Sequence, residues 1–204
     1  MSTPDINRWN ERFDTADFIF GKEPNAFLVS KEHLLRPGAR ALALADGEGR
    51  NGVWLAEKGL EVLSVDASSV AQEKARALAA ERGVRVGFEM ADLDTWDMGH
   101  ERFDLVVAIF IQFSPPHLRE RLFERMKAAL VPGGLLLLEG YRPEQLRYRT
   151  GGPPTAENMY TTDLLRRSFG DLKILELVER DVEIYEGSGH GGMSALIDLV
   201  AQKP

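Results

Sequence analysis

The stretch Ala41-Leu42-Ala43-Leu44-Ala45-Asp46-Gly47-Glu48-Gly49-Arg50-Asn51-Gly52 decides the fold. With Arg40 in front it opens as a short aliphatic strand, Arg40–Ala45, and it closes on G-x-G-x-x-G. Val53–Lys58 then reads as a helix that Gly59 can end in the left-handed conformation glycine adopts cheaply. A second strand, Glu61–Asp66, follows and ends in an acid nineteen residues after Gly47. Strand, glycine turn, helix, strand and terminal acid in this register describe a nucleoside-type site. Glycines let the backbone approach a ligand, and an acid at the second strand's tip can accept both ribose hydroxyls. A glycine motif by itself also fits a purely structural turn; the acid in register is what favours a ligand.

Outward from there, short aliphatic runs alternate with helical stretches to residue 139, the pattern of βαβ units around a parallel sheet. Ser68 or Ser69 can cap a helix whose stripe runs through Val70, Ala71, Ala75, Leu78 and Ala79 to Gly83. Val84, Val86, Phe88 and Met90 alternate as a half-buried third strand, and Phe103–Ile111 reads as a buried fourth. Ser114-Pro115-Pro116 joins a capping hydroxyl to proline in the first helical turn, Leu118, Leu122, Met126 and Leu130 continue that helix, and Pro132-Gly133-Gly134 stops it. Gly134–Glu139 is a fifth strand. Beyond it lie a helix around Thr162–Phe169 and two extended stretches, Leu172–Glu186 and Ser194–Gln202. The segment joining them, Gly187–Gly192, is too short for a parallel crossover, so they form an antiparallel hairpin. No repeat or linker divides the chain, and 1–204 reads as one domain.

The 204 residues are 44% hydrophobic and 28% charged, enough for a self-supporting core, and there is no cysteine to act as nucleophile, thiolate ligand or redox pair. A net charge of −7 makes nucleic acid and anionic membrane surfaces poor bulk partners. Met1–Asp5 lacks a basic or apolar leader, and no apolar run approaches a membrane span. The expectation is a cytoplasmic protein acting on a small molecule, with no inference about oligomeric state. No His, Asp and Glu spacing resembles a metal site.

The glycine turn and acid serve a nicotinamide cofactor or S-adenosylmethionine equally well. Ala91-Asp92-Leu93 favours the latter by putting an acid after strand three, where it can accept from the adenine amine. No tyrosine has a lysine four positions on, as a short-chain dehydrogenase requires, and no stretch is long enough for a separate substrate domain. Through Ala41–Asn51, Leu63–Asp66, Ala91–Leu93, Phe103–Val107 and Leu130–Gly134, about half the chain, the sequence resembles the class I S-adenosylmethionine-dependent methyltransferases. Trp9–Phe13, Phe20–Leu28 and Gly47–Asn51 add a narrower resemblance to the small tellurite-resistance-like and thiopurine-type methyltransferases.

The resemblance implies an α/β, Rossmann-like three-layer sandwich with a mixed seven-stranded sheet, five strands parallel and a C-terminal antiparallel hairpin. It divides the domain into a helical lid (1–38), a cofactor-binding core (39–139) and a substrate-side loop, helix and hairpin (140–204). The cofactor would be S-adenosylmethionine, leaving as S-adenosylhomocysteine, without metal. Implied contacts are Asp66 on the ribose, Asp92 and its neighbour Leu93 at the adenine, and the backbone of Asp46, Gly47, Glu48 and Gly49 around the methionine part; Trp9, Ala45, Asn51, Ala67 and Ile109 are further cofactor-binding candidates. The family pattern has an acid and a glycine where this chain has Ala43 and Ala45, so Asp46, a water or a backbone carbonyl is left to hold the cofactor's amino group.

Chemistry would come from residues just past the strands, and His190, Glu139 and Tyr141 are the catalytic candidates. His190 reads either as a general base or as an exposed turn histidine, and Glu139 either as a site carboxylate or as a structural acceptor. Arg142, Arg147 and Arg149 suggest an anionic substrate group or a solvated loop, and Trp9 and Phe13 lid packing or cofactor contact. Methyl transfer to a small-molecule acceptor is the leading expectation, with sulfur, metalloid, nitrogen and oxygen nucleophiles all open; the rivals are an NAD(P)-dependent oxidoreductase and a non-catalytic regulator that binds the cofactor.

Overall fold

The computed structural model describes residues 3–204; the leader reading at Met1 and Ser2 lies outside them. In chain order the elements are α1 (Thr3–Phe13), α2 (Ala26–Ser30), a 3-10 turn (Glu32–Leu34), β1 (Arg40–Leu44), α3 (Arg50–Glu57), β2 (Glu61–Asp66), α4 (Ser69–Arg82), β3 (Gly87–Met90) and β4 (Phe103–Ile109). There follow α5 (Pro116–Ala129), β5 (Leu130–Tyr141), α6 (Gln145–Tyr148), a 3-10 turn (Ala156–Asn158), α7 (Thr162–Phe169), β6 (Lys173–Glu186) and β7 (His190–Gln202). Seven strands run in the order β3-β2-β1-β4-β5-β7-β6, five of them parallel, with the terminal hairpin antiparallel as expected. Two compact units make up the chain, one running to Trp96 together with Glu186–Gly189, the other Asp97–Tyr185 with His190–Pro204.

In the first unit β1 lies parallel to β2 from Arg40↔Glu61 to Leu44↔Val65, and β2 parallel to β3 from Leu63↔Gly87 to Asp66↔Met90. Ala41 to Leu44 are all buried, which is why the run is aliphatic without alternation. Ser68 caps α4, its hydroxyl accepting from Ala71 N at 3.1 Å, and Gly83 ends the helix at φ +69°. The third strand is shorter than its pattern predicts. Val84 N donates to Ala79 O at 3.0 Å, so Val84 still belongs to the helix end, and pairing begins only where Gly87 meets Leu63. Val84 and Val86 pack instead on Val53, Leu78 and Ala79.

In the second unit β4 pairs parallel with β5, and β5 antiparallel with β7 from Leu135↔Gln202 to Tyr141↔Leu196. β4 stops at Ile109, two residues short of the expected end, because Phe110 turns to φ +56°. Ser114 is one position too early to cap α5: Pro115 holds that place and its carbonyl takes Leu118 N and Arg119 N at 3.0 and 2.9 Å. Pro132-Gly133-Gly134 does not stop the helix, which ends at Ala129. These residues form an irregularity inside a longer β5, where the register slips between Phe103↔Leu130 and Leu105↔Leu135.

Glu139 and Asp198 are directly opposed on β5 and β7, both buried. Arg180 of β6 answers them, its Nε reaching Asp198 at 2.7 Å and its Nη2 the Glu139 carboxylate. Removing one partner of such a cluster leaves buried charge uncompensated. Arg180→Met should therefore cost about 3 kcal/mol in urea denaturation at pH 7; a loss under about 1 kcal/mol would show that the two acids do not depend on it.

Candidate functional site

The glycine turn is built by backbone that only some residues tolerate. Ala45 ends β1 at φ +46°, Gly47 follows at +57° and Gly49 at +86°. The glycines also answer contacts within the chain. A Cβ on Gly49 would lie 2.6 Å from Ala75 Cβ, and one on Gly52 2.4 Å from Asp46 Oδ2. Ala45 holds a left-handed backbone that glycine would adopt at less cost.

Asp66, at the tip of β2, holds this turn. One carboxylate oxygen accepts from Gly47 N and the other from Ser68 N, each at 2.8 Å. Burial raises its pKa, opposed by the backbone donors of Ser68, Gly47 and Ala67. A carboxylate offers about four lone-pair positions, so the residue can hold the turn and still accept from a diol. The remaining acceptor positions therefore fit a ribose diol.

Asp46 is committed inward. Its carboxylate takes Gly52 N at 3.1 and 3.2 Å and the Ser64 hydroxyl at 2.7 Å. Desolvation pushes its pKa up to about 7, with the Ser64 and Gly52 hydrogen bonds pulling the other way. Glu48 and Asn51, expected beside the cofactor, use their side chains on the N-terminal segment. Glu48 pairs with Lys74 at 2.5 Å and accepts from Phe20 N at 3.3 Å, while Asn51 Oδ1 accepts from Asn25 N at 2.9 Å. The Glu48 carboxylate and the Asn51 amide oxygen are thereby engaged within the chain.

Lys74 was invisible as a functional residue in the sequence; it also donates to Phe13 O at 3.1 Å and Asp17 O at 2.7 Å. Trp9 stacks on Phe13 at 5.5 Å, Phe13 lies against Gly47, and Asn10 Oδ1 accepts from Ser68 Oγ at 2.7 Å. Helix α1 is thereby seated on the turn and on the start of α4. Of the residues expected at the adenine, Asp92 Oδ1 accepts from Asp94 N at 2.9 Å and Leu93 is buried; Ala67 is half-buried between Asp66 and Ser68.

The second unit holds the expected acceptor-side residues. Phe110 stacks on Tyr141 with ring centroids 4.8 Å apart, and His190 meets their edges at 4.7 and 5.9 Å. His190 is buried at the start of β7, not an exposed turn residue, and Ile109 is buried at the end of β4. Glu139 is engaged by Arg180 as described. Arg142 is surrounded by acids, Glu144 at 3.5 Å, Glu179 at 3.3 Å and Asp181, which removes it as a free anion receptor. Among the described residues no group of three or more His, Asp or Glu could hold a metal, and no helix is long and apolar enough to cross a membrane.

A methyltransferase-domain family model matches residues 41–134. The trans-aconitate 2-methyltransferase of Variovorax paradoxus is 34% identical over 108 residues, 52% of this chain and 39% of that protein. The chain spans about half the length, or less, of the curated relatives it matches. TehB of Haemophilus influenzae superposes with TM-score 0.73 at 17% identity, over 97% of this chain and 66% of that one. The N-methyltransferase NodS of Bradyrhizobium japonicum, solved with S-adenosyl-l-homocysteine, superposes with TM-score 0.71 at 14% identity over 98% of both.

Two measurements check the turn. Ala45→Gly removes a left-handed cost of about 1–2 kcal/mol and adds about 0.5–1 of chain entropy, so it should stabilise by about 0.5–1 kcal/mol in urea. A destabilised variant would contradict the strain. Asp46 binds its proton more tightly folded than unfolded, so its contribution to stability falls as pH rises from about 4 to about 7 and then levels. Asp46→Asn should flatten the urea midpoint over that window, and an unchanged slope would contradict the raised pKa.

Over residues 41–134 the chain is similar to the methyltransferase-domain family, and it shares its fold with TehB and NodS.

Proposed function

We propose that this chain is an S-adenosylmethionine-dependent methyltransferase acting on a small-molecule acceptor. The observation that carries the reading is Asp66, a buried carboxylate that braces the glycine turn at Gly47 and keeps acceptor positions for a ribose diol. In this reading Asp92 and Leu93 take the adenine, the backbone of 45–49 the methionine part, and α1, through Trp9 and Phe13, covers the turn as a lid. Residues 1–204 act as one domain, in the cytoplasm, and the negative net charge argues against nucleic acid or membrane as the substrate.

When bound, S-adenosylmethionine supplies a sulfonium methyl group for in-line displacement. The chain's own part is to position the acceptor and exclude water. Phe110, Tyr141 and His190 form an aromatic, largely buried wall in the second unit. Such a wall suits a soft, polarisable nucleophile, since sulfur packs favourably on aromatic rings. A thiolate or metalloid acceptor needs little or no proton removal; for an oxygen or nitrogen acceptor His190 is the base at hand. Glu139, held by Arg180, positions rather than reacts. The Variovorax relative's trans-aconitate makes small organic acids worth including among the acceptors tried.

Calorimetric titration with S-adenosylhomocysteine, NAD and NADP tests the reading. S-adenosylhomocysteine alone should bind, and Asp66→Asn, which keeps the shape but loses the charge, should weaken it by about 2–3 kcal/mol. Binding of NAD in its place would overturn the assignment. Cofactor binding without transfer of labelled methyl to any thiol, selenite, tellurite or organic acid would favour the regulator.

A further inference from the structure

Arg119 stands in the first turn of α5 and is only 7% exposed. Its Nη1 donates to the Glu157 carbonyl at 2.6 Å, and its Nε has no hydrogen-bond partner. No carboxylate within the described residues pairs with it. Arg50 and Lys127, equally buried, show the ordinary arrangement: they pair with Glu186 at 2.8 Å and Asp171 at 3.0 Å. A buried guanidinium without a counter-charge costs several kcal/mol. The placement adds to that cost, because the N-terminal end of a helix carries partial positive charge and the first turn of α5 contains no acid.

The geometry defines what would relieve it. With Nη1 spent on Glu157, the guanidinium has left its Nε–Nη2 edge, two parallel N–H groups in the spacing of a carboxylate. Tyr160 is beside it. The phenol is buried and held protonated by burial, with the Arg119 charge pulling its pKa the other way. It is fixed there by Phe123, 5.7 Å between centroids, and by Gly140, where a Cβ would come within 2.6 Å of its ring. The amide of Gln112, packed on the same glycine, is engaged elsewhere: its oxygen takes Tyr141 N at 2.5 Å and its nitrogen serves the carbonyls of Tyr141 and Asn158. Arg119 presents donors only, and the protonated Tyr160 hydroxyl has a donor to add.

We propose that Arg119, with Tyr160, forms a carboxylate-binding site in the second unit, at the start of α5 and against the segment that follows β5. The guanidinium takes the carboxylate through its Nε–Nη2 edge and the phenol supplies a third donor. Two sources of that carboxylate are a methyl acceptor, which rests on the function proposed above, and a free organic acid bound as an effector, which does not.

Thermal unfolding at fixed pH and ionic strength, with sodium acetate or succinate replacing chloride, tests the site. The melting temperature should rise saturably with the carboxylate, as for a ligand that binds only the folded state. Arg119→Met should abolish the rise, and Arg119→Lys, which keeps the charge without the fork, should weaken apparent affinity about tenfold or more. Should Arg119→Met not fold, the wild-type protein still decides: one arginine Nε–H resonance, absent from Arg119→Lys, should move on titration with acetate. No saturable effect beyond that of chloride, or an effect unchanged in both variants, overturns the proposal. Labelled-methyl transfer to organic acids and their primary amides separates the sources. Transfer selective for the acids identifies the acceptor, whereas carboxylate stabilisation without such selectivity identifies an effector. Loss of all methyl transfer with the stabilisation intact would remove the proposed function and leave this site standing.

Discussion

Asp66 is the joint on which the first unit turns. Its two carboxylate oxygens hold Gly47 N and Ser68 N, so one side chain fixes the glycine turn after β1 and the entry to α4 after β2. Both turns carry backbone donors that no regular element satisfies, and a buried donor left unpaired costs about 1–3 kcal/mol. The acid is costly to bury and is kept in place by the groups it serves. The same constraint suits it to the diol-accepting role proposed above, because a carboxylate braced by backbone has its remaining lone pairs fixed in direction.

The rest of the unit answers that joint. Ser68 caps α4 and reaches Asn10, which seats α1 on the helix start. Lys74, Glu48, Asn51 and Arg50 spend their side chains on residues 13–25 and on Glu186, so the N-terminal segment is held by polar contacts as well as by Trp9 and Phe13.

In the second unit charge is handled by pairing almost everywhere. Arg180 serves Glu139 and Asp198, Arg142 serves Glu144, Glu179 and Asp181, and Lys127 serves Glu124 and Asp171. Arg119 breaks the rule in a protein rich in acids, in the first turn of α5 and beside Tyr160. Buried donors without acceptors mark places where the chain is incomplete without a ligand or water.

Periodicity and turn chemistry in the sequence determined the strand and helix alternation, the antiparallel end of the sheet, the bounds Thr162–Phe169 and the acid at the tip of β2, because each depends on neighbours within a few residues. Strand ends escaped it. β1 and β4 stop where Ala45 and Phe110 turn left-handed, a conformation that packing imposes against local preference. Pro132-Gly133-Gly134, a stop signal by composition, became an irregularity inside β5 because β4 was there to pair with. Asp46, Glu48 and Asn51 read as ligand-facing from their place in the motif, yet their side chains face Gly52 and Ser64, Lys74, and Asn25. Gly52 lies within the same motif as Asp46, but only the tertiary structure could decide Ser64, Lys74 and Asn25 as partners, since they come from elements that sequence spacing does not bring together.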